Sequence, residues 1–126
     1  MNRFWLKVPA ILYAALIFGL SSLQKTPLDE MPFWNFDKLV HLLEYAVFGI
    51  LLMLAFRSDQ IDQPMRRANL QTIIVGILYG LSDEIHQFFI PGRISSIEDF
   101  VADALGILLG VWLFNRLKIF QRYRSA

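Results

Sequence analysis

Apolar residues gather in four stretches separated by polar joints: Phe4 to Leu23, Leu39 to Phe56, Leu70 to Ile90, and Phe100 to Leu117. Each is close to the ~20 residues that an α-helix needs to cross ~30 Å of hydrocarbon. None alternates strictly as a membrane barrel strand does, and a helix satisfies its own backbone groups in lipid. The pattern predicts an all-α fold in one domain, residues 1–126: an integral membrane bundle of four transmembrane helices. Pro9 falls in the opening turns of the first stretch, where a missing amide hydrogen is tolerated. That stretch begins like a signal peptide, but "SSLQKTP" follows without an A-x-A-like site, so it is expected to remain as a helix.

Composition agrees with a bilayer as solvent: of 126 residues, 56% are hydrophobic and only 18% charged. Without cysteine, disulfide frameworks and thiolate chemistry are excluded. Charge distribution says more than the net charge of +1. On one side of a four-span topology lie nine basic residues: Arg3, Lys7, Arg57, Arg66, Arg67, Arg116, Lys118, Arg122 and Arg124. Only Lys25, Lys38 and Arg93 lie on the other, so the positive-inside rule predicts both termini in the cytoplasm. Nine of the eleven carboxylates gather toward the outer face. Such a negative field attracts metal ions, protons and cationic ligands and repels bare anions, and no nucleic-acid partner is expected.

The outer ends of the stretches are also where the polar residues fall. Asp37, His41, Glu44 and Tyr45 share one helical stripe in "DKLVHLLEYAVFG"; Asp83, His86, Gln87 and Ile90 share another, with Glu84 about 100° round. On the fourth stretch Asp99, Asp103, Gly106 and Gly110 align. Charges inside the boundary are costly if they face lipid, by ~2.5–3.5 kcal/mol at the bilayer centre, so they are expected to turn toward one another. Gly106 and Gly110 form a small-residue face that admits a second helix, within one chain or between two, and the oligomeric state stays open. Simpler roles compete: Asp37 suits an N-cap, Ser95-x-x-Glu98 reads as a capping box, Asp99 suits a first helical turn, and the whole cluster could be a structural network.

The segments "DKLVHLLEYAVFG" and "LYGLSDEIHQFFIPGRISSIEDFVADALG", with four apolar stretches in this order, resemble the VanZ-like membrane protein family. The likeness covers roughly Asp37 to Gly110, and Asp103 stands where such proteins often carry Asn. The family is named for a membrane protein associated with resistance to the glycopeptide teicoplanin. The resemblance implies the bacterial cytoplasmic membrane and a connection to the cell envelope; it supplies no molecular activity.

Three functions are consistent with this pattern. In the first, an outward-facing pocket acts on an envelope lipid or lipid-linked molecule. His41, Asp83 and His86 are then the catalytic candidates, an imidazole serving as general base held by Asp37, Asp83 or Asp99. Arg93 would hold a phosphate, and Asp37, Glu44, Tyr45, Glu84, Gln87, Asp99 and Asp103 would support or bind. No metal site is assigned, although His41 with Glu44, and Asp83 with His86, offer donor pairs suited to Zn or Mn. In the second, the pocket binds a cationic or amphiphilic ligand without converting it, with membrane lipids as surroundings. The third, a proton or ion pathway, needs polar partners at both depths, whereas "AVFGILLMLAF" and "ALGILLGVWLF" have almost none.

Overall fold

A computed structural model describes residues 3–23, 34–92 and 96–117, with the side chains of 34–37 outside that description. A short 3-10 turn at Arg3–Leu6 leads into α1 (Val8–Ser21), followed by α2 (Trp34–Ser58), α3 (Met65–Phe88) and α4 (Ile97–Leu117). Among the described residues there is no strand. Two helical segments, Arg3–Ser21 and Lys38–Ser58, are long and apolar enough to cross a membrane by length and composition.

The helices differ at their ends from the apolar stretches. Lys7 separates the 3-10 turn from α1, with Pro9 in the first turn of the α-helix. α2 starts at Trp34, so Asp37 lies inside the helix and is not its N-cap. The cap of α4 is Ser96, whose Oγ accepts the Asp99 amide hydrogen at 3.1 Å. This shifts the expected box by one residue: Ser95 lies outside the described residues, and Glu98 is exposed. α3 ends in a tightened turn, with Phe89 N–H donating to His86 O and Ile90 N–H to Gln87 O. Beyond it the chain turns at Pro91–Gly92, Gly92 taking a φ of 82° that only glycine adopts without strain.

The closest packing is α2 against α4, and small residues explain it. A Cβ at Gly106 would lie 2.4 Å from Leu42 O, and one at Gly110 2.3 Å from Ala46 O. The small-residue face is thus used within the chain, backbone against backbone. This contact carries the Asp99 and Asp103 stripe inward, since those residues share the glycine face.

Phe48 anchors the interior. Its ring stacks on Tyr13 at 6.1 Å and meets Tyr45 at 6.0 Å and Tyr79 at 5.1 Å. α1 joins through two tyrosine hydroxyls: Tyr13 donates to Glu44 O at 2.9 Å and Tyr79 to Ala14 O at 2.5 Å. A second core of Met53, Ala68, Val111 and Phe114 closes the other end. There the α2–α3 joint is pinned by Arg57, which donates to Gln60 O, Ile61 O and Gln63 O, and by Lys7, 2.5 Å from Asp59.

Polarity is distributed inside out. Large apolar side chains stand exposed on every helix, including Leu12, Val47, Leu78 and Trp112. Asp83, Glu84, Asp99 and Asp103 are all buried.

Candidate functional site

The buried polar residues converge where the start of α2, the end of α3 and the start of α4 meet. His41 Nδ1 lies 2.7 Å from Asp103 Oδ1, and both side chains are buried. Nδ1–H donating to a carboxylate fixes the ring's orientation and tautomer. Lys38 Nζ lies 2.8 Å from Asp99 Oδ1, tying α2 to α4 a second time. Tyr45 OH donates to Asp83 Oδ2 at 3.1 Å, and Gln87 Nε2 approaches the same oxygen at 3.5 Å. Glu84 sits between these groups. One of its oxygens lies within 4.8 Å of donor atoms of His41 and Asp99, and it forms a comparable group with Asp83 and Asp103.

Local geometry explains the convergence. Asp99 and Asp103 are four residues apart on α4, Asp83 and Gln87 four apart on α3, and His41 and Tyr45 four apart on α2, so each pair shares a face. Gly80, one turn before Glu84, leaves room for α4: a Cβ there would lie 3.3 Å from the Asp103 Cβ and 3.4 Å from Tyr45 Cε1.

His86 does not join this group. Its Nε2 lies 2.9 Å from Ser22 Oγ, and its ring stacks on Phe18 at 4.5 Å. Ser22 Oγ gives its single hydrogen to Phe18 O at 2.8 Å, so His86 Nε2 is the donor in the first contact. The angular spread of the stripe divides it, since His86 lies about 60° from Asp83 and about 100° from Gln87 round α3: Asp83 meets Tyr45 of α2, Gln87 approaches Asp83, and His86 meets Phe18 and Ser22 at the end of α1. The expected arrangement of both imidazoles in one cavity is corrected accordingly. The expected donor pairs change too: among the described residues the clustered metal-type donors are His41, Glu84 and Asp99, and Asp83, Glu84 and Asp103. Asp103, from another helix and not among the expected Asp37, Asp83 or Asp99, holds His41 Nδ1. Glu44 is half-buried near α1, its backbone oxygen taken by Tyr13. The Asp37 side chain and Arg93 lie outside the described residues.

An apolar groove adjoins the cluster. Leu81, Ile85, Phe88 and Phe89 of α3 and its end, with Ile97 and Phe100 of α4, line an open cavity of about 390 Å³. Glu84 and Ser96 are its polar lining. This groove escaped sequence reasoning. Its signal was the Phe88–Phe89 pair at a helix end, a position where aromatic rings suit a membrane interface. Lys38, expected only as a charge balancing the nearby acids, is part of the cluster through Asp99, 61 positions away on α4.

A search of curated proteins and one of solved structures gave no significant match. The family described as VanZ/LLP1 matches residues 4–120, which include every residue of the cluster and of the groove. The chain belongs to the VanZ/LLP1 family.

Proposed function

We propose that this is a multi-pass protein of the bacterial cytoplasmic membrane, crossing it four times with both termini inside, that binds an amphiphile at its outer end. The ligand class is an envelope lipid or lipid-linked molecule. Its apolar chain occupies the α3–α4 groove and its polar head meets the buried cluster. The supporting observation is that Glu84 belongs to both, lining the groove and standing among the carboxylates. A mostly apolar concavity ending on a few convergent polar groups is the usual form of a small-molecule site. The inside-out polarity supports the membrane setting, since exposed leucines and tryptophans need a lipid solvent while the buried acids avoid it. A connection to teicoplanin susceptibility would act through this envelope ligand.

The test is photolabelling of EDTA-treated protein in nanodiscs by a long-chain alkylamine carrying a diazirine. Labels are expected on Leu81, Ile85, Ile97 and Phe100. Ile85→Trp, which fills the groove, is expected to weaken labelling there about tenfold, equivalent to ~1.4 kcal/mol. Labels spread evenly around all helices and indifferent to Ile85→Trp would sink the reading.

A second reading rests on the His41–Asp103 contact. An imidazole oriented by a buried carboxylate is the arrangement of a general base, and it would activate water against a bound lipid ester or phosphate. Turnover of bacterial lipid extract that is lost in His41→Ala and retained in His86→Phe supports it; no turnover by the wild-type protein leaves binding as the activity.

A further inference from the structure

We infer that Asp83, Glu84 and Asp103 form a binding site for one hard divalent cation at the junction of α2, α3 and α4. One oxygen from each carboxylate lies within 4.8 Å of the others. Oxygen ligands at ~2.1–2.5 Å from a cation stand up to ~4–5 Å apart across it, so a single ion can be shared by the three after small adjustment. All three side chains are buried, at 6%, 5% and 1% exposure.

Charge accounting alone would not make this a site, because buried acids can be met by nearby cations. Among the described residues, Lys38 lies on Asp99 and His41 on Asp103 Oδ1. The second oxygen, Asp103 Oδ2, is buried and has no hydrogen-bond donor among the described residues. An unsatisfied carboxylate oxygen in the interior is costly and calls for a partner. Gly80 of α3 faces it: a Cβ there would lie 3.7 Å from Oδ2. Asp83 has only neutral donors among the described residues, Tyr45 OH and Gln87 Nε2. Those contacts and the His41 contact hold two of the three carboxylates in place, as outer-shell groups hold metal ligands.

The donor set selects the ion. Three carboxylates without sulfur favour Mg²⁺, Mn²⁺ or Ca²⁺ over soft metals. The neighbouring group of His41, Glu84 and Asp99 offers nitrogen as well, but Lys38 already neutralises Asp99. The inference is independent of the amphiphile: a cation can bind here with the groove empty.

Purified full-length protein, stripped with chelator and titrated with Mn²⁺, tests it by electron paramagnetic resonance of the free ion. We expect one Mn²⁺ per chain, displaced by excess Mg²⁺ or Ca²⁺, and a melting temperature that rises with Mn²⁺ and falls with EDTA. Asp103→Asn and Glu84→Gln should each weaken binding at least ~10-fold, and His41→Ala, acting through Asp103, by ~10-fold or more. Asp59→Asn, at the opposite end of the bundle, should bind as wild type. Wild-type protein that binds no Mn²⁺, or binding unchanged in Glu84→Gln, overturns the inference whether or not Asp103→Asn folds. Because the photolabelling above is done in EDTA, either proposal can fail while the other stands.

Discussion

His41 of α2 and Asp103 of α4 meet at 2.7 Å although 62 positions separate them, and both are nearly excluded from solvent. Breaking a buried charged or hydrogen-bonded pair leaves one member without its partner. His41→Ala is therefore expected to destabilise the bundle by ~3 kcal/mol. Unfolding in mixed micelles of increasing SDS content measures this. A double-mutant cycle with Asp103→Ala should return a coupling of ~1 kcal/mol or more; additive losses would show that the contact is not energetic.

The second imidazole should behave differently. His86 stacks on Phe18 and donates to Ser22, on the α1 side of α3. His86→Phe keeps the ring contact and loses one hydrogen bond, an expected cost of ~1 kcal/mol. Binding of the alkylamine in the α3–α4 groove should be unchanged. A loss of labelling in His86→Phe comparable to that in Ile85→Trp would show that the two faces of α3 are not separate.

Two glycine substitutions should behave differently. Gly110→Ala places a methyl 2.3 Å from Ala46 O, so α2 and α4 must separate, at an expected ~1–3 kcal/mol. A Cβ at Gly19 would meet no atom of the other described elements within 4 Å. Gly19→Ala should be neutral or stabilising by up to ~1 kcal/mol, since alanine restricts the unfolded helix backbone. The same SDS titration reads both.

Topology can be read directly because the chain contains no cysteine. Pro91 and Gln63 are exposed in the turns at opposite ends of the bundle. In intact spheroplasts, a membrane-impermeant maleimide should label Pro91→Cys and spare Gln63→Cys until the membrane is permeabilised. The reverse result would place the cluster on the cytoplasmic side and remove the outer-leaflet ligand.

Four apolar stretches, glycines at helical spacing and acids gathered at one end are properties of local composition and period, and they were legible in the chain alone. So was the glycine face of α4, because a GxxxG spacing implies close approach wherever it is used. Which side chains meet was not. Each polar end carries several acids and hydrogen-bond groups within about half a turn, so a small rotation of one helix exchanges its partners. That rotation is set by contacts along the whole helix: Gly106 and Gly110 against α2, Phe48 among three tyrosines, and Tyr79 reaching α1. The tertiary structure thus decided that Asp103 holds His41, that His86 turns to α1, and that an apolar groove opens beside Glu84. Helical period places residues on a stripe; only the packed bundle determines what that stripe faces.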